Sequence, residues 1–220
     1  MAREHAATPA TTASPLVLCQ QLLAAVDRLD AAGIRLVLDL SVAAHGLPTT
    51  VDDVLLPSMR EVGVRWSRGR CDVEQEHLAT DTVLIWLESV ATPAPRLDHG
   101  PIVLSGGPLD HHTISLEAFA VLLRQKDFDC RNLRGPTPAA ALRGVAEQCH
   151  ARAVVLVCQL PRNRPAAIAA LHGLTGTGAA LFYAGAAFRT SASRQKLPGH
   201  YLGGNLSRAA DHVAGAVRPT

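Results

Sequence analysis

LSGGPLDHHTISLE, residues 104–117, decides how the rest of the chain is read: an apolar run ends at Gly106-Gly107, and Asp110, His111 and His112 follow before a helical pattern begins. A strand therefore runs into a loop that presents imidazole. In an open parallel sheet, ligands sit outside the carboxyl ends of the strands, so a histidine in this loop is placed to reach one. Neutral imidazole is a good metal donor, and a carboxylate two residues away can accept its other N–H and fix the tautomer. The competing reading has Asp110 capping a helix from Thr113, with both histidines solvated.

Toward the C-terminus, short apolar runs alternate with helical patterns: Ile102 to Leu104 then Thr113 to Lys126, Phe128 to Leu133 then Pro138 to Cys149, Ala153 to Val157 then a run through Leu174. Ala180 to Tyr183 with the residues after it, Gly199 to Leu202 and a helix from Leu206 to Val217 complete the series. Strands alternating with helices predict a five-stranded parallel sheet in a doubly wound α/β domain over residues 101–220. Residues 92–100, TPAPRLDHG, have linker composition.

Before that linker the period is helical throughout. Leu16, Leu18, Cys19, Leu22, Leu23, Val26 and Leu29 predict a first helix opening at Pro15. Gly33 separates it from a second, Ile34 to Ala44, which Gly46 and Pro48 close. A third carries Val54, Leu55, Met59, Val62 and Trp66, with a kink or restart expected at Pro57. A fourth runs from Val73 to Val90 after a cap at Asp72. Short connections predict an antiparallel four-helix bundle over residues 15–91, preceded by a disordered tail over residues 1–14.

Composition narrows the function. The net charge of +2 comes from 21 basic and 19 acidic residues with no basic run, which gives direct DNA binding no support. The five cysteines are far apart with no C-x-x-C pair, so a reducing cytosol fits better than a disulfide framework or a zinc site. No apolar stretch reaches membrane-spanning length. Neither a Ser-His-Asp set nor an acid pair is visible, so turnover by this chain alone is not expected.

Taken in this order, the chain from Leu16 onward resembles the cobalamin (B12)-binding module of the methionine synthase type, a four-helix cap followed by a flavodoxin-like, Rossmann-like domain. That family has a D-x-H-x-x-G motif after its first strand, whose histidine is the lower axial ligand of cobalt while the nucleotide tail is swung aside into the sheet. Asp110, His112 and Ser115 stand at those positions, so the resemblance implies His112 as the metal ligand and Asp110 as its partner. Trp66 followed after nine residues by Glu76-His77 looks like the W-x9-EH pattern of CarH-like adenosylcobalamin photoreceptor regulators, and LLPSMREVG, residues 55–63, is similar to their cap. By implication Trp66 covers the upper face of the corrin, with Glu76 and His77 near the adenosyl group. An aromatic wall suits an adenine and a carboxylate suits ribose hydroxyls. Read singly, a Trp at helical spacing is a core residue and Glu-His a solvated face.

The chain departs from the family at Ser115 in place of glycine, at Cys158 in place of a tail-bonding serine, and at Gly185-Ala186 in place of Gly-Gly. Ser67 stands where those regulators can have a second histidine. The family's MerR-type DNA-binding segment has no counterpart in the short tail, so a protein partner or a homo-oligomer is expected to carry the signal. Three readings follow: an adenosylcobalamin-dependent light-responsive regulator, a corrinoid carrier subunit of a methyltransferase or mutase system, and a degenerate module that no longer binds B12.

Overall fold

The computed structural model describes residues 13–93 and 100–217. Most of the expected tail and linker, residues 1–12 and 94–99, lies outside the described residues. Two compact units divide between Glu76 and His77, inside the fourth helix.

In the first unit, α1 (Pro15–Asp27) starts at Ser14, whose hydroxyl accepts from the Val17 N–H, and Pro15 occupies a first-turn position that needs no amide bond. Leu29 turns the chain at φ 55°. Asp30 then caps α2 (Ala31–Thr49) by accepting the Gly33 N–H at 2.8 Å, so Gly33 lies inside the first turn of this helix and does not separate two helices. The expected stop at Gly46 is a kink, with φ 80° and ψ 162°, followed by a π-helical turn over Thr50–Leu55. A buried hydroxyl pair, Ser41 with Thr50 at 2.8 Å, and the Thr50 hydroxyl on the Gly46 carbonyl at 2.9 Å hold this kink. α3 (Leu56–Ser67) restarts with Pro57 in its first turn. Leu18, Leu22, Val26, Ile34, Leu38, Val51, Val54, Leu55 and Val62 form the core. α4 spans Val73–Val90.

The second unit holds the parallel sheet: β1 (Ile102–Gly106), β2 (Cys130–Pro136), β3 (Ala153–Val157), β4 (Ala180–Ala184) and β5 (His200–Tyr201), in the order β2-β1-β3-β4-β5. This is the flavodoxin-like order, and its direction of winding reverses between β1 and β3. Both of these central strands are buried along their whole length, which is why they read as unbroken apolar runs. Val154, Leu156 and Tyr183 pack with Leu142 of α6 (Ala139–Gln148) and Leu171 of α7 (Arg164–Gly173) on one face. Phe182 points to the other, edge-on to His212 of α8 (Leu206–Val217), the face that α5 (Ile114–Arg124) shares. After β4 the chain makes two 3-10 turns, Ala186–Phe188 and Ser191–Arg194, and not a helix. This segment lacks an apolar stripe, and Arg194 fixes it by donating to the carbonyls of Phe188 and Arg189 while covering the Tyr201 ring at 4.5 Å. No helix among the described residues is long and apolar enough to cross a membrane.

Candidate functional site

The turn after β1 is shaped by close backbone approach. The Gly107 N–H donates to Val157 O at 2.8 Å and the Asp110 N–H to Gly107 O at 2.9 Å, which folds the loop back over the end of β3. A Cβ on Gly106 would sit 2.8 Å from Asp110 O, so this position has no room for a side chain. Leu109 adopts φ 69° and stays exposed, and the Asn163 side-chain amide clamps its carbonyl at 2.8 Å. The result drives the neighbouring carboxylate inward, and Asp110 is 1% exposed.

Three donors converge on that carboxylate. Oδ1 accepts from His112 Nδ1 at 2.7 Å and from the His112 N–H at 3.1 Å, and Oδ2 accepts from the Gln159 N–H at 2.5 Å. Burial alone would raise the Asp110 pKa, but the hydrogen bonds from His112 and Gln159 outweigh it and hold the carboxyl below its ordinary value. The same bond raises the His112 pKa against the opposing effects of burial and nearby Arg162. Asp110 is thus not the cap of α5; Thr113 holds that position without a side-chain bond. With Nδ1–H committed to Asp110, neutral His112 keeps its lone pair on Nε2, which makes no hydrogen bond among the described residues. The ring is half exposed, at 51%. His111 is exposed and does not share the carboxylate, so the structure separates two histidines that the sequence leaves adjacent.

The pair has a defined pH signature. A depressed Asp110 pKa contributes stability above the unfolded carboxylate value and loses it in acid; a raised His112 pKa contributes below the unfolded imidazole value and loses it as pH rises past the folded one. Both contributions are present together between about pH 4 and about pH 6.5. Urea unfolding of wild type and His112→Ala is expected to show a larger stability difference at pH 5.5 than at pH 8.5.

The β3 and β4 ends complete the cluster. Cys158 is fully buried, and burial, reinforced by the Asp110 charge, pushes its thiol up to about 12, which keeps it neutral and donating to Leu160 O at 3.5 Å. Gly185 has φ 108°, and the Ala186 N–H donates to Gln159 Oε1 at 3.1 Å. Ser115 Oγ is buried without a hydrogen-bond partner. Gln159 and Asn163 were not singled out from sequence; their signal is position alone, directly after β3 at the carboxyl edge of the sheet. In the first unit, Trp66 ends α3 with its indole 54% exposed. Glu76 is half-buried in the first turn of α4, where Gln75 Oε1 accepts the Asp72 N–H at 2.9 Å, and His77 beside it is exposed. Asp110, His112, Cys158, Gly185 and Ala186 are brought together with Gln159.

The B12 binding domain family matches residues 18–88. The match runs from within α1 to within α4. The chain is 33% identical over 143 residues to the HTH-type transcriptional repressor CarA of Myxococcus xanthus, covering 63% of this chain and 47% of CarA. It is 35% identical over 105 residues to the HTH-type transcriptional repressor CarH of the same organism, covering 48% of this chain and 35% of CarH. It spans less than half the length of either relative. In fold it matches the monomethylamine corrinoid protein of Methanosarcina barkeri with a TM-score of 0.69 at 14% identity, over 92% of this chain and 99% of that one. Cobalamin fits the donor set. Its cobalt would come with four corrin nitrogens, so one oriented imidazole such as that of His112 would be enough to hold it.

Proposed function

We propose that the chain is an adenosylcobalamin-dependent, light-responsive regulatory sensor that works in the cytosol and signals through a protein partner or a change in its own oligomeric state. The observation that carries this reading is the 2.7 Å bond from His112 Nδ1 to a buried, ionised Asp110, which leaves Nε2 open at the carboxyl edge of the sheet. His112 is the protein ligand of cobalt, and Asp110 orients it and raises its basicity. Ser115, Cys158, Gly185 and Ala186 line the path of the nucleotide tail. The orphaned Ser115 hydroxyl supports this assignment, since a buried polar atom without a partner calls for one.

When bound, adenosylcobalamin supplies a photolabile cobalt–carbon bond. In the first unit, Trp66 offers an exposed flat face of the kind an adenine stacks on. The regulatory role is supported by the likeness to two transcriptional repressors and by W-x9-EH. Five free thiols suit a reducing compartment.

The test is an absorption spectrum after incubation with adenosylcobalamin in the dark and removal of free cofactor, repeated after green light. The expected result is a retained, histidine-ligated corrinoid whose spectrum shifts on illumination, with the ligated form lost in His112→Ala. A corrinoid retained but indifferent to light would replace the sensor with the carrier reading. A colourless protein would overturn cobalamin binding and leave an interaction module.

A further inference from the structure

A small cavity with three charged side chains in its lining lies in the unit that holds the sheet, and the cobalt-facing residues do not use it. We propose that it is a subsite for a primary carboxamide, one of the side arms of the corrin ring, and that it lets the protein select amidated corrinoids over those bearing a free acid. This deepens the cobalamin reading and rests on it.

The cavity has a volume of about 110 Å3 and is lined by Leu84, Glu88, Thr113, Glu117 and Arg134. Its place in the fold is the carboxyl edge of the sheet. Thr113 directly follows His112, and Arg134 lies near the end of β2, which runs parallel to β1. A ring system ligated from His112 therefore has its periphery on this side.

The walls of the cavity are built with care for charge. Glu117 is buried, with its side chain 6% exposed, and Oε1 is ion-paired to Arg134 Nε at 2.5 Å. A carboxylate has acceptor sites that one guanidinium contact does not fill, and burial keeps water from filling them. Arg134 reaches it from an irregular stretch of β2. The register with β1 shifts between Leu104 and Gly106, Arg134 adopts φ 45°, and Asn132 Oδ1 accepts its N–H at 3.1 Å. Bulges of this kind re-aim a side chain, and a non-glycine residue in the left-handed region is held there by its surroundings. The guanidinium also donates to Glu88 Oε1 at 2.8 Å.

Two carboxylates against one guanidinium leave the cluster net negative. An acid arm is repelled. An ammonium would satisfy Glu117 but has no acceptor for the remaining guanidinium N–H. A carboxamide has both: its NH2 donates to Glu117 and its carbonyl accepts from Arg134. Sites that pair both ends of a polar group reject analogues that leave one end unpaired.

The probes are cobalamin and its isomeric monoacids, each with a single side arm hydrolysed to a carboxylate, with binding read by equilibrium dialysis and the absorbance of retained corrinoid. Wild type is expected to bind one monoacid isomer about tenfold more weakly than cobalamin, and Glu117→Gln to narrow that gap to about twofold. Glu88→Lys, at an exposed rim position, reverses a charge without touching the buried carboxylate and should narrow the gap as well, which covers the case of a Glu117 variant that does not fold. Monoacids that all bind like cobalamin, or a gap that persists in these variants, would overturn the subsite while leaving cobalamin binding intact. Failure of wild type to retain cobalamin would overturn both.

Discussion

Asp110→Ala is expected to destabilise the apo protein by about 2–4 kcal/mol and to weaken cobalamin retention by about 10–100-fold. The carboxylate is 1% exposed and satisfies three donors, the Gln159 N–H, the His112 N–H and His112 Nδ1. Removing it leaves the half-buried Gln159 N–H without its acceptor and frees the imidazole to rotate and change tautomer. Asp110→Asn separates the two effects. One amide oxygen can still serve either His112 or Gln159, but the amide NH2 then faces a donor, so part of the stability is recovered and histidine ligation is not. Urea unfolding of the apo protein reads the first effect, and the spectrum of the cobalamin-loaded protein reads the second. If Asp110→Ala unfolds at the wild-type midpoint, the three bonds contribute nothing net, and His112 needs no partner to hold its place.

The alternation of apolar runs and helical patterns made the sheet legible, and Ala153–Val157 and Val73–Val90 fall where the period puts them. Where local chemistry and tertiary contact compete, the sequence was a poorer guide. Gly33 reads as a breaker, but it sits in a first helical turn because the Asp30 carboxylate occupies the space a Cβ would need, 2.3 Å from Oδ2. Gly46 reads as a stop, yet helix resumes beyond it because the Ser41–Thr50 hydroxyl pair spans the kink. The segment after β4 reads as part of another strand–helix unit, but it is tied down by arginine–carbonyl bonds that no hydrophobic period announces. At the candidate site, Asp110 and His112 stand out by type and spacing. Gln159 and Asn163 do not, because each acts through one bond to a loop more than forty residues earlier in the chain, Gln159 N to Asp110 and Asn163 Nδ2 to Leu109.

Gly185→Ala is expected to be the most damaging glycine substitution at the site, at about 3–5 kcal/mol. Its φ of 108° lies where an L side chain is strained, and the added Cβ would stand 2.1 Å from Cys158 O and 2.6 Å from Cys158 C. Neither neighbour is a flexible side-chain end. Cys158 is held by its own N–H to Ala184 O at 3.0 Å and by its carbonyl accepting the Ala187 N–H at 3.1 Å. The methyl must therefore push apart the ends of β3 and β4. That displacement acts on Gln159, the next residue, and through its N–H on Asp110. Cobalamin retention should fall along with stability, although Gly185 is far from His112 in sequence. Gly144→Ala in α6 is the control: a Cβ there meets nothing within 4 Å, and replacing glycine inside a helix should stabilise by up to about 1 kcal/mol. A Gly185→Ala protein that unfolds like wild type and still retains cobalamin would show that the β3–β4 contact yields by backbone adjustment, and that the family's glycine here serves the nucleotide tail rather than the strand ends.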